Sequence, residues 1–341
     1  MQQLTLAGRS TTSLGFGGSL LGSTSPAVSR KLIVAAYEEG IRHFDVAPMY
    51  GFGRSEALLR EALGSRLRDV TITTKYGLEP PAHSAWIGPL HRLARRVLSP
   101  FPKVRTGLHK EPTQAHAGPP LTAAAALQSI DHSLRQLRVE TIDLLLLHEA
   151  TPQRLRDPDL IGTLEECQRA GKIREFGVGS TSERVAACFR DRPAFCRIVQ
   201  CEWNVFCPDR PVLEGVPHIL HGSLGGPRVH FASWLLEDAE RCAQWSSALG
   251  VDLREPGILN RLLLKASLEK HAGHIVLFST RTLSNIKSNV QTADDKTLAA
   301  PARLFSYLVR SEYLSVPANS MSNEEDLAAS GSGLRGKGGE L

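Results

Sequence analysis

The sequence lacks a C-x-x-C pair, an apolar leader, a membrane-length run and any strong excess of charge, and each absence removes a class of function. Its six cysteines stand at 167, 188, 196, 201, 207 and 242. Cys196, Cys201 and Cys207 lie close together, but their spacing does not match the usual paired zinc ligands, and none makes a redox dithiol motif. Reduced thiols in a cytoplasmic protein are the expectation. Met1–Gly8 is polar and has no hydrophobic segment of the kind that targets a chain for secretion. No apolar run reaches the length needed to span a bilayer, so no membrane partner is expected. The formal net charge of +5 over 341 residues is too weak to argue for nucleic acid. Basic residues do gather between His91 and Lys110, where they could attract an acidic group; a solvated surface turn is the favoured reading.

What is present is an ordinary globular composition, 42% hydrophobic and 22% charged. The length suits one large domain or two small ones, and a (β/α)8 barrel takes about 250 residues as a single unit. Short apolar runs alternate with helical patterns along the chain. Eight strand candidates follow from this rhythm: Ser13–Gly17, Ile41–Val46, Val70–Lys75, Ile142–Leu147, Ile173–Val178, Ile198–Cys201, Val216–His221 and His274–Phe278. Helical spacing appears over Ala27–Glu39, Arg54–Leu63, Leu121–Leu137, Leu160–Ala170, Glu183–Arg190, Ile258–His271 and Leu283–Val290. Gly40, Gly64 and Gly171 stop three of these helices, and Thr282 is placed to cap the last. The rhythm breaks over Gly77–Pro120, read as a long insertion after the third strand, and Ala318–Leu341 is too polar and small to repay ordering. The expected organisation is an α/β barrel domain over residues 1–317, with residues 77–120 inserted, and a disordered tail over 318–341. Strands alternating with helices predict a parallel sheet; periodicity alone leaves a closed barrel and an open doubly wound sheet both standing.

Four polar residues stand out at or just beyond strand ends: Asp45, Tyr50, Lys75 and His148. Singly, each has a plain structural reading as a cap, a solvated charge or a packed core residue. In a barrel, however, all C-terminal strand ends open on one face, so the four would meet there. Their chemistry is complementary. A tyrosine near its ordinary pKa of about 10 is a poor proton donor at neutral pH. A neighbouring ammonium favours the phenolate, a carboxylate holds that ammonium in place, and an imidazole can orient a carbonyl oxygen.

The segment Gly40–Leu63, GIRHFDVAPMYGFGRSEALLREAL, resembles the signature of the aldo-keto reductases, and its FD-x-AP-x-YG form resembles the aldose and pyridoxal dehydrogenase-like branch. Gly40, Phe44, Asp45, Ala47, Tyr50, Gly51, Gly53, Ser55 and Glu56 carry the match. The resemblance covers roughly Leu4 to Val290, apart from the insertion and a poorly matching stretch over 225–256. It implies a (β/α)8 barrel and an oxidoreductase (an NAD(P)-dependent aldo-keto reductase) acting on a small-molecule aldehyde, ketone or alcohol. Tyr50 would be the general acid/base, Asp45 and Lys75 its tuning partners, and His148 the carbonyl-orienting group.

For the cofactor, the resemblance implies contacts from Gly18, Ser180, Gln200, His221, Gly222, Leu224, Thr280, Arg281, Asn285 and Asn289. The family's Ser-Asn pair after the fifth strand is replaced here by Gly179 and Ser180, and its stacking tyrosine by His221. Gln200 matches the glutamine that contacts the nicotinamide carboxamide. Many family members carry basic residues where this chain has Ser279 and Asn285, but Arg281 and Lys287 offer charge for a 2′-phosphate. NADP(H) is therefore favoured, with NAD(H) the alternative. Because some relatives, such as potassium-channel β subunits, act as sensors, a nicotinamide-binding protein with little turnover is the second reading. Met49, Trp86 and Trp203 are candidates for an apolar substrate wall.

Overall fold

The structure, a computed structural model, describes residues 1–78, 121–190, 197–208 and 215–315. Almost all of the expected insertion, with Trp86 and the basic cluster, lies outside the described residues, as do Cys196 and the expected tail. Eight parallel strands close into a barrel: β3 (Leu14–Gly17), β4 (His43–Asp45), β5 (Thr71–Tyr76), β6 (Ile142–His148), β7 (Ile173–Gly179), β8 (Val199–Glu202), β9 (His218–His221) and β10 (Ile275–Phe278). β10 pairs back onto β3, which decides between the two sheet topologies in favour of the (β/α)8 barrel. All eight strand candidates are found; six begin a residue or two later than expected, and β5, β6, β7 and β8 each run one residue further. No helix among the described residues is long and apolar enough to cross a membrane.

Strand geometry turns alternate side chains inward. The barrel interior is filled by Leu144, Leu146, Ile198, Ile219, Ile275 and Leu277, which form an apolar cluster of their own. His43 is wholly buried among them, with Nδ1 2.9 Å from Thr71 Oγ1. The opposite face of each strand packs on the surrounding helices through a larger core that includes Phe16, Phe44, Leu145, Leu147, Phe176 and Val178. The same alternation, carried to the strand ends, aims Asp45, Lys75, His148, Gln200 and His221 into one mouth.

An N-terminal hairpin, β1 (Gln3–Leu6) with β2 (Arg9–Thr12), was not anticipated from the sequence pattern. Its two-residue turn puts Ala7 at φ 50° and Gly8 at φ 73°. Left-handed turns of this kind favour Asn-Gly or Asp-Gly, so an Ala-Gly pair hides the hairpin. The hairpin covers the N-terminal ends of the strands. Leu6 joins the interior cluster, Thr11 Oγ1 lies 2.7 Å from Thr71 Oγ1, and Arg9 reaches the buried Asp143 carboxylate at 3.0 and 3.2 Å.

Three helices also go beyond the sequence reading: Arg228–Glu237, Ala239–Leu249 and Ala299–Leu308. The first two fall in the stretch that matched the family poorly. Together these satellite helices extend the outer core with an aromatic cluster in which Phe231, Trp234, Trp245, Phe305 and Tyr313 contact one another, with Phe231 and Tyr313 centroids 5.0 Å apart. Pro301 in the first turn of the last helix is compatible with it, because early helical N–H groups lack partners anyway. The final predicted helix runs on to Asp294. Its Thr282 occupies the N-cap position without a side-chain cap bond, correcting the expected capping role. Thr280 Oγ1 instead accepts from the Thr282 backbone N–H and from Asn285 Nδ2, at 3.1 and 3.2 Å.

Candidate active site

The turn that carries Tyr50 is written in the sequence YGFGRSE. Gly51, Phe52 and Gly53 all have positive φ, at 64°, 55° and 82°. Two of these three positions are glycine, the residue that adopts this conformation without steric cost. Gly51 also faces Gly22 so closely that a Cβ on Gly22 would lie 2.5 Å from Gly51 Cα. Ser55 then closes the turn, its Oγ donating to the Ala47 carbonyl at 2.7 Å, and begins the helix Ser55–Leu63. Glu56 is buried behind it and accepts from Thr74 Oγ1 at 2.7 Å. Motif positions flanking Tyr50 thus hold the loop to β4 on one side and β5 on the other.

At the barrel mouth, Lys75 Nζ donates to Asp45 Oδ1 at 2.5 Å, with both side chains almost fully buried. The ammonium lies 5.0 Å from the Tyr50 ring centroid and is hydrogen-bonded to the Tyr50 hydroxyl. Burial alone would push the Lys75 pKa down; Asp45 and Tyr50 more than offset that, so it stays above its ordinary value and the side chain is charged at neutral pH. The second Asp45 oxygen accepts from Gln200 Nε2 at 2.7 Å. His148 stands edge-on to Tyr50, with centroids 6.4 Å apart. Its pKa is driven down to about 3 by burial and the Lys75 cation, with His221 adding and Asp45 opposing. His221 is held at about 4, first by burial and then by Lys75. Both imidazoles are therefore neutral at physiological pH, and His148 Nδ1 is buried without a hydrogen-bond partner among the described residues.

A cavity of about 420 Å³ opens over this group, bordered by Gly17, Ser19, Asp45, Tyr50, His148, Glu149, Ser180, Gln200, Glu202, His221 and the Gly222–Gly225 loop, with Phe278 and Ser279 opposite. Ser180 Oγ donates to Glu149 Oε2 at 3.0 Å. Glu149 itself has φ 56° and its carboxylate also meets Arg184. The cavity thus gathers Asp45, Tyr50, His148, Ser180, Gln200, His221, Gly222 and Leu224 from the residues singled out in the sequence, with Lys75 behind them. Gly18, Thr280, Arg281, Asn285 and Asn289 are not among its bordering residues. Arg281 is exposed and donates from Nε to Ser23 Oγ at 2.6 Å, joining the loops after β10 and β3. Trp203 is buried against His271, 4.6 Å between centroids, and is not part of the cavity wall. Sequence reasoning missed Glu149 and Glu202. Glu202 sits two places after Gln200, so strand alternation could have found it; Glu149 points into the cavity through its left-handed backbone, which no pattern predicts.

Chemically, this set can polarise a bound carbonyl oxygen and exchange one proton with it. A neutral imidazole donates a hydrogen bond, a phenol beside an ammonium gives up its proton more readily than in water, and bare backbone at Gly222 and Gly225 leaves room for a bulky ligand. Side chains there are excluded: a Cβ on Gly222 would fall 2.8 Å from Glu202 Cγ.

Comparison with known proteins gives the family and the fold. Pyridoxal 4-dehydrogenase of Microbacterium luteolum is 30% identical over 197 residues, 50% of this chain and 53% of that protein. D-threo-aldose 1-dehydrogenase of a Pseudomonas species is 30% identical over 190 residues, 51% of each. The chain spans about half the length of the curated relatives it matches. Among solved structures, an aldo-keto reductase of Bacillus halodurans in its holo form superposes with a TM-score of 0.62 at 21% identity, covering 90% of this chain and 95% of that one. Glycerol dehydrogenase of Gluconobacter oxydans does so at 0.62 and 20%, with the same coverages. These superpositions speak to the fold. The aldo/keto reductase family model matches residues 13–222, ending where the satellite helices begin and short of the 4–290 span read from the sequence. That match takes in more than half of the chain and every strand that carries Asp45, Lys75, His148 and Gln200, so the chain belongs to the aldo/keto reductase family.

Proposed function

We propose that the protein transfers hydride between a nicotinamide dinucleotide and the carbon of an aldehyde, ketone or the corresponding alcohol, with Tyr50 as general acid/base. The observation that carries this reading is the Lys75 ammonium shared between Asp45 and the Tyr50 hydroxyl at the wall of the cavity, beside a neutral His148. A bound NAD(P)H supplies the hydride. His148, uncharged, donates a hydrogen bond that orients the carbonyl oxygen. As negative charge grows on that oxygen, Tyr50 passes it a proton, and Lys75 stabilises the phenolate left behind. Asp45 keeps the ammonium in position and charged. In the alcohol-to-carbonyl direction the same phenolate receives the proton.

The residues present fit a nicotinamide nucleotide. Gln200 has an amide oxygen to offer a carboxamide, His221 supplies a flat ring at the cavity wall, and Ser180 borders the same space. Gly222 and Leu224 bring backbone to the cavity where a pyrophosphate would pass, and Gly18 lies within reach of the Asp45 backbone. Thr280, Arg281, Asn285 and Asn289 would hold the adenosine end. Arg281 and Lys287 are exposed cations near that end, and they favour NADPH over NADH. The cavity border, among the described residues, contains the carboxylates Asp45, Glu149 and Glu202 and no arginine or lysine. That balance suits an uncharged, hydroxylated carbonyl compound, in keeping with the names of the aldose- and pyridoxal-oxidising relatives.

Replacement Tyr50→Phe tests the reading. Turnover on every accepted carbonyl should fall by about 10²–10⁴-fold, while dinucleotide affinity measured by fluorescence quenching is kept. Full turnover in the variant would refute it. Tight nucleotide binding by the unaltered protein, without turnover over a broad carbonyl panel, would favour the sensor reading.

A further inference from the structure

We propose that Gln200 is a positioning residue that clamps the Asp45 carboxylate and, through it, sets how readily the Tyr50 phenol gives up its proton. The inference rests on the reading of Tyr50 as the acid/base, and it adds a fifth side chain to that machinery. Its basis is the pair of bonds on Asp45. Oδ1 accepts from Lys75 at 2.5 Å and Oδ2 from Gln200 at 2.7 Å, so the carboxylate is held at both ends. Gln200 is itself buried on β8, one strand pair removed from His148, and Asp45 is on β4, across the barrel. The bond therefore spans the mouth.

The orientation of the amide is dictated by chemistry. An ionised carboxylate only accepts, so the end of Gln200 that meets it must be the NH2 group. The carbonyl end, Oε1, is left toward Gly179 and the cavity, where a Cβ on Gly179 would stand 3.5 Å away. One side chain thus has two jobs: a donor for Asp45 and an acceptor for whatever amide enters the cavity.

The groups that face the phenol are Lys75 from β5, Asp45 from β4, His148 from β6 and His221 from β9, with Glu149 and Glu202 at the rim. The two imidazoles are neutral, leaving Lys75 and Asp45 as the charges that matter at close range. A donor on Oδ2 partly neutralises the carboxylate. Without it, Asp45 presents more negative charge and draws the ammonium away from the phenol, and both effects hold the phenol proton more tightly.

The test uses the full chain without nucleotide, so that it does not depend on turnover. Tyrosine labelled at 13Cζ reports the phenol's titration by NMR, with Tyr50→Phe assigning the signal. Gln200→Met, of similar length and without donor or acceptor, should raise the Tyr50 midpoint by about 0.5–1 pH unit. In an Asp45→Asn background the same replacement should move it by less than about 0.2 unit, because the route through Asp45 is gone. An unmoved midpoint in the single variant, an equal shift in both backgrounds, or a phenol that fails to titrate up to about pH 11 in every form would each overturn the proposal. Gln200→Leu, a second replacement that can neither donate nor accept, keeps the test open should the methionine variant lose its native dispersion of signals; it should raise the midpoint as far, and failure to do so would count against the clamp. Loss of this coupling with carbonyl turnover intact would leave the proposed function standing; intact coupling in a protein that reduces no carbonyl would do the reverse.

Discussion

At the scale of single residues, the site depends on charges placed where water cannot reach them. Lys75 and Asp45 tolerate this because they neutralise one another and find further donors and acceptors. Glu56 has no lysine or arginine in a salt bridge with it among the described residues. Burial raises its pKa, and the hydrogen bond from Thr74 Oγ1, with the nearby His132, only partly opposes that. With the folded value raised above the ordinary 4.5, the proton's contribution to stability is complete below about 4.5 and is lost as pH climbs through the folded value. Gln at this position keeps an oxygen for Thr74 Oγ1 and cannot ionise. Glu56→Gln should therefore gain stability relative to the parent as pH is raised from about 5 to 8, read as a growing difference in urea midpoints. A difference that shrinks over that range would show that the carboxylate is better accommodated than its surroundings imply.

At the scale of elements, the barrel closes tightly where glycines let strands approach. A Cβ on Gly177 of β7 would lie 2.0 Å from the Ile198 carbonyl oxygen at the start of β8, and backbone cannot step aside as a side chain tip can. Gly177→Ala should cost about 1–3 kcal/mol or more in equilibrium unfolding, and it should disturb Ser180 and Gln200, which follow on the same two strands. Unchanged stability would mean that the β7–β8 seam has slack.

The same elements show what could be read in advance. All eight strands were legible because each is a short apolar run bounded by turns, and Asp45, Lys75 and His148 because they stand at the ends of those runs, with Tyr50 in the loop after β4. The hairpin at 3–12 was hidden by alanine in a turn that prefers asparagine. Helix 228–237 was hidden because Phe231 and Trp234 face aromatic partners on several sides, leaving no clean polar face to give a period; helix 239–249 does carry one, with Cys242, Trp245 and Leu249 buried at helical spacing, and could have been read from it. Pairings such as Gln200 with Asp45, 155 residues apart, arise only when the barrel closes.

At the scale of the whole molecule, burial has left several histidines unable to take a proton. His43, His218 and His221 are held at about 4 and His148 at about 3, in each case chiefly by burial, against an ordinary 6.5. These depressed values make a contribution to stability that is complete above about 6.5 and is lost as pH falls through about 4. Unfolding near pH 5 should accordingly take up roughly three to four protons at these sites, measured from the pH dependence of the unfolding free energy. An uptake of less than about one proton would show that the imidazoles are charged in the native barrel.

The hairpin fastened by Arg9 to Asp143 has a kinetic corollary. With the interior packed and its base covered, the described residues leave ligands the cavity mouth as their way in, and two visitors who share it must queue. If the nucleotide lies deepest, along Gln200 and the Gly222 loop, the carbonyl compound enters second and its product leaves first. Departure of the spent nucleotide is then the last event of each cycle and the natural candidate for its slowest one.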